Sequence, residues 1–152
     1  MPDLLAGSTV LAADTPPTVS MTQDGSFTFD STVFGVDADT GTYVQCAVVF
    51  VAATTGRALV RYAADLDSNG VVATHCGPHV RTGATIGSGS DVLPASQANS
   101  VRNVGTDNRR YGATVLLDSL TPGASYNVRL EHRVSGGTGT IQFRHLSVSP
   151  AS

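Results

Sequence analysis

The run His75-Cys76-Gly77-Pro78-His79 brings together the side chains best suited to chemistry, two imidazoles and a thiol. With Cys46 they form a set of zinc-capable donors. Their spacing matches no common zinc module, Pro78 is expected to bend the backbone, and adjacent residues of a strand face opposite ways. The expectation is a packed Cys76 flanked by partly exposed His75 and His79. Asp65-Leu66-Asp67-Ser68-Asn69-Gly70 reproduces the first half of a calcium loop, with oxygen side chains at alternate places and glycine sixth. The twelfth position should bring a bidentate glutamate and is Cys76 instead. The same letters describe a type I′ hairpin turn at Asn69-Gly70. No metal and no cofactor are expected.

For covalent catalysis the chain has many Ser, His and Asp residues but no Gly-x-Ser-x-Gly elbow and no Cys-His signature. Asp37/Asp39 and Asp65/Asp67 stand in turn-like contexts, where aspartate caps backbone amides. Gly83-Ala84-Thr85-Ile86-Gly87-Ser88-Gly89 precedes no helix, so it is a poor phosphate cradle. No residue is assigned a catalytic role. Arg102, Arg109, Arg110, Arg129, Arg133 and Arg144 are the remaining chemical asset. Arg129, Glu131 and Arg133 fall on one strand face, which reads as a subunit interface, where arginine is enriched and its planar fork pairs with aspartate.

The elements that must position these groups are strands. The chain of 152 residues has no lysine and only one glutamate, Glu131, against 16 glycines and much Thr, Ser, Asp and Val. Such a composition favours strands and turns over helices. A net charge of −3 argues against nucleic acid or an anionic membrane as partner. No apolar run nears the ~20 residues of a spanning helix. The N-terminus lacks the pattern of a secretion signal. Cys46 and Cys76 are too few for a disulfide framework and are expected as buried free thiols.

Residues 1–25 are expected to form an extended arm, apolar at Leu4, Leu5, Val10 and Leu11 and stiffened at Pro16-Pro17. Strands are expected at 27–29, 33–36, 43–51, 57–66, 71–80, 113–120, 126–134 and 140–148, with hairpin-length connections between several of them. Residues 83–110 are the least regular part. In Leu120-Thr121-Pro122-Gly123-Ala124-Ser125-Tyr126 a tight turn leads into a strand with Tyr126, Val128 and Leu130 on one face. This is the pattern of a tyrosine corner, whose hydroxyl bonds back to backbone upstream. The expected fold is all-β: one jelly-roll or Greek-key β-sandwich over residues 26–152, with the extended N-terminal arm before it.

Four stretches carry a resemblance: Ala6 to Asp14, Phe50 to Arg57, Val101 to Asp107, and Leu120 through Arg133. Over them the chain resembles small β-sandwich proteins encoded with the virion-structure genes of phages of actinobacteria. The Phe-x-Ala-x-x-x-Gly-Arg stretch at Phe50–Arg57 also resembles, more weakly, the trimeric jelly-rolls of complement-type and tumour-necrosis-factor-type heads. The resemblance implies a non-enzymatic homotrimer in the virion, on a tail or fibre or decorating the capsid, assembled in the host cytoplasm. The arm would join it to other virion proteins, and a host-surface glycan is a further expected partner. The alternative function is a carbohydrate-binding module.

Overall fold

The computed structural model describes residues 16–38 and 43–152. Leu4, Leu5, Val10, Leu11 and Asp39 lie outside the described residues. Among the described residues ten strands are formed: β1 (Val19–Gln23), β2 (Phe27–Phe29), β3 (Ala47–Val51), β4 (Ala58–Ser68), β5 (Ala73–Thr82), β6 (Asp91–Leu93), β7 (Val101–Val104), β8 (Arg109–Leu117), β9 (Ser125–Val134) and β10 (Gly139–Pro150). The first sheet has the order β1-β10-β4-β8, with β2 also on β10; the second has β3-β9-β5-β6, with β7 also on β5. All pairings are antiparallel. This is the all-β jelly-roll sandwich that strand-rich composition and alternating patterning imply. Among the described residues no helix is long and apolar enough to cross a membrane.

Alternation builds the core. In β4 the residues Ala58, Val60, Tyr62, Ala64 and Leu66 are buried on one face, and Tyr126, Val128, Leu130 and Val134 of β9 meet them from the other sheet. Phe27, Phe29, Ile141 and Leu146 complete the filling. Each fully buried side chain of this size contributes roughly 1.5–3 kcal/mol.

The connections differ from the hairpins expected of them. β3 and β4, β4 and β5, β8 and β9, and β9 and β10 lie in opposite sheets. A short turn bridges the ~10 Å between packed sheets as readily as it returns within one, so turn residues alone do not separate the two. Asn69-Gly70 is accordingly no type I′ turn, since neither residue has positive φ. Asn69 Oδ1 instead accepts a hydrogen bond from the Thr138 amide at 2.9 Å, tying together two inter-sheet connections.

Three further expectations are corrected. Residues 33–36 are not a strand: Gly35 makes a single bridge to His132, beyond the reach of β3 along β9. Residues 83–110 contain β6, a 3-10 turn at Gln97–Asn99 and β7. Pro78 does not bend β5, which runs unbroken past it. β7 pairs with Ala73 to Cys76 and β6 with Val80 and Arg81, so Pro78 sits in the gap between them, where no strand needs an N–H from it. Within the segment read as an arm, Val19–Gln23 is strand β1, paired along β10 from Val148 to Arg144.

At one end of the sandwich Tyr126 Oη accepts a hydrogen bond from the Thr121 amide at 2.9 Å, the tyrosine-corner arrangement. Phe50 stacks on the Tyr126 ring, with centroids 5.6 Å apart. Leu120 and Gly123 donate to the carbonyls of Gly56 and Ala52, so the Pro122-Gly123 turn is bound to the β3–β4 connection. Gly56 has φ +64, and a Cβ there would lie 2.6 Å from the Leu120 carbonyl oxygen.

Candidate functional site

The outer face of the second sheet carries most of the chemistry-bearing side chains. Cys76 and Val80 of β5 point into the core, so His75, His79 and Arg81 point out. Register then places Arg133 beside His75, Arg129 beside His79 and Asn127 beside Arg81. The face is nonetheless buried: His75 is 3% exposed, His79 8% and Glu131 4%. The expectation of partly exposed histidines is therefore corrected.

The chain's own loops provide the cover. Asn127 Oδ1 accepts the Gly87 amide at 3.0 Å, and Nδ2 donates to the carbonyls of Gly83 and Ser88, each at 3.1 Å. Gly87 has φ +77, and a Cβ there would lie 2.6 Å from an Arg129 nitrogen. The left-handed backbone favours glycine there, and the loop passes close over the Arg129 guanidinium. Ser100 Oγ lies 3.1 Å from His75 Nδ1, and the Phe34 ring meets His75 edge-on at 6.2 Å.

Under the 83–89 loop His79 is held between two carboxylates. Its Nε2 pairs with Asp91 Oδ1 at 2.8 Å. Its Nδ1 lies 2.9 Å from Glu131 Oε1, within ion-pair range but out of line for a hydrogen bond. Arg129 grips the same glutamate oxygen from Nε at 2.8 Å and Nη2 at 2.7 Å, and Arg81 Nε donates to Asp91 at 2.9 Å. The hydrogen bond from His79 is the main reason that the Asp91 carboxyl is held below its usual range. The cluster works as a polar clamp beneath a glycine-rich lid.

His75 is shifted the other way from a cation-stabilised histidine: burial lowers its pKa, and Arg133 and Arg102 lower it further. Cys76 and Cys46 are free thiols inside the sandwich, pushed up by burial to about 12 and about 11, so both stay protonated and unreactive at neutral pH. Among the described residues no group of three or more His, Cys, Asp or Glu side chains is arranged to hold a metal ion. Asp65 is paired with Arg110 at 2.9 Å on the outer face of the first sheet, apart from Asn69.

The interface candidates separate. Arg109 and Arg110 stand exposed at the start of β8, and Arg102 is exposed on β7. Arg129 is committed to Glu131, and Arg133 lies 5.8 Å over the Phe34 ring. Arg144 is not a surface residue at all. It is 1% exposed, its guanidinium lies 4.8 Å from the Phe27 ring centroid and 5.3 Å from that of Tyr43, and its three nitrogens have no hydrogen-bond acceptor. A β-bulge between Gln142 and His145 turns it inward. Sequence reasoning missed the Asp91 partner of His79, and a lone Asp in an irregular stretch offers no signal that could find it.

No protein-family model and no curated protein matches the chain. Among solved structures it is similar to a chain of the infectious bursal disease virus Gx strain, with a TM-score of 0.48 and 11% sequence identity. The likeness covers 88% of this chain and 32% of that one, so the protein spans about a third of the viral chain's length.

Proposed function

We propose that this protein is a non-enzymatic structural component of a bacteriophage virion, a β-sandwich that assembles with copies of itself as a homotrimer on the capsid or on a tail fibre. One observation carries the reading. β8 is an edge strand of nine residues with no described strand on its other side. Past Arg109 and Arg110 it has no charged residue, no proline and no bulge, the devices by which a free edge is normally blunted. Thr114 and Leu116 are exposed beside that edge, and Arg109 and Arg110 stand at its start. An edge of this kind is suited to cover by another copy. The histidine, glutamate and thiol groups, meanwhile, are turned to internal pairing or packing, as suits a rigid shell element. The N-terminal arm, residues 1–25 with Leu4, Leu5, Val10 and Leu11, would join the sandwich to neighbouring virion proteins.

The test is sedimentation of the purified chain with and without the paired substitution Thr114→Lys and Leu116→Lys. A trimer that falls to monomer in the variant is expected. A wild-type monomer at micromolar concentration removes the assembly reading. Immunogold labelling of particles that finds the protein absent from virions removes the virion reading separately.

A further inference from the structure

Arg102, His75 and Arg133 stand directly opposite one another on the neighbouring strands β7, β5 and β9. Directly opposed residues share a face, and like charges so placed repel. Strands lie ~4.8 Å apart, so two guanidinium groups flank one imidazole across a span of roughly 10 Å. The described ion pairs engage Arg81, Arg109, Arg110, Arg129 and His79 and leave this row without an acidic partner. Arg133 Nε is buried and has no hydrogen-bond partner. A cationic row of this kind is stable beside an anion.

Arg102 also forms one wall of an open cleft of about 530 Å³, shared with Asn103, Thr106, Asp107, Arg109 and Tyr111. The cleft is held rigidly. Asn103 is buried, and its Nδ2 donates to the carbonyls of Leu66 and Asp107, both at 2.7 Å. Tyr111 Oη donates to Asn103 Oδ1 at 3.2 Å, and the Ser68 amide donates to the Gly105 carbonyl at 3.1 Å. The Asp107–Arg109 pair, at 3.2 Å and exposed, offers an acceptor and donors side by side, the pattern that meets sugar hydroxyls.

We propose that Arg102, the exposed end of this row, and the adjoining cleft bind an acidic saccharide, its oxyanion held by the Arg102 guanidinium and its hydroxyls by Asp107, Arg109 and Thr106. The planar forks suit a carboxylate or a phosphate equally. The cleft takes Arg109 and Tyr111 from the start of β8, so the site rests on that end of the edge staying open when copies assemble.

Titration of the ¹⁵N-labelled full chain followed by NMR tests this, with glucuronate, glucose 6-phosphate, glucose and inorganic phosphate as probes. Saturable shifts at residues 102–107 are expected with glucuronate or glucose 6-phosphate, and comparing the two shows which oxyanion is preferred. Glucose should give none, and inorganic phosphate should bind about tenfold more weakly, or more. Arg102→Gln, at an exposed side chain, should weaken acidic-sugar binding by at least about tenfold with an unchanged melting temperature. The proposal is overturned if neither acidic sugar saturates, if inorganic phosphate binds as well as glucose 6-phosphate, or if Arg102→Gln leaves affinity intact. It is overturned equally if Arg102→Gln dissociates an oligomer and no sugar binds, which would assign the row to an acidic side chain of a second copy.

Discussion

His132 shows how one side chain links burial to pH. It points inward from β9, with its ring 4.1 Å from Phe29 and 4.9 Å from Phe27, and pairs through Nε2 with the Asp37 carbonyl. Burial is the main cause that pushes its pKa down to about 4. In the unfolded chain a histidine titrates near pH ~6.5. Between those values the unfolded state takes up a proton that the native state refuses. Stability from this group is therefore full above about pH 6.5 and falls as pH drops toward 4, by about 3 kcal/mol in total. Urea unfolding at a series of pH values should show this loss in the wild type and a smaller one in His132→Asn. Equal slopes would assign the acid sensitivity to other groups. Tyr126→Phe leaves the Thr121 amide without its acceptor and should cost about 1–2 kcal/mol in the same assay. A change within error would mean that the corner hydrogen bond contributes nothing.

At the scale of elements, the bulge in β10 decides which residues enter the core. Phe143 is the inserted residue, with φ +48, and it is exposed. Arg110 Nη1 holds it from β8, donating to the Phe143 carbonyl at 3.1 Å and to Asp65 at 2.9 Å. Ile141 lies in the core before the bulge, and Arg144, Leu146 and Val148 point inward after it. Simple alternation would place Arg144 outside. Positive φ at a bulky residue costs of order 1–3 kcal/mol, so Phe143→Gly should be neutral or stabilising by about 1 kcal/mol. Deleting Phe143 should instead abolish cooperative unfolding, because removing the extra residue turns Leu146 and Val148 outward. A deletion variant as stable as wild type would show that the bulge does not set the register. Gly56→Ala forces a Cβ against the Leu120 carbonyl and should lower the denaturation midpoint by the equivalent of about 1–2 kcal/mol. An unchanged midpoint would mean that the corner and the β3–β4 connection are not tightly coupled.

In the whole molecule, almost every sheet contact joins strands remote in sequence: β10 pairs with β1, β2 and β4, and β9 with β3 and β5. Such topologies fold slowly, because loop closure precedes the contacts that offset it. Refolding of the isolated chain on a timescale of ms to s or slower is expected by stopped-flow fluorescence of its tyrosines, and a microsecond phase carrying the full amplitude would contradict it.

By itself the sequence determined what is local. Period-2 alternation in Ala58 to Leu66 and Tyr126 to Leu130 defines strands with one buried face. Pro122-Gly123 before Tyr126 marks the corner, and the shortage of helix formers sets the class. Only the tertiary structure decided what depends on partners far along the chain. It gave each strand its sheet, since a short turn serves a hairpin or a crossing equally well. It buried His75 and His79, because residues 83–100 fold back over a face that the strand pattern marks as exposed. It paired His79 with Asp91 and turned Arg144 inward, because one inserted residue reverses the parity of a strand. Side-chain direction follows from local geometry, whereas what a side chain meets follows from topology, and that is why the candidate site had to be found in the fold.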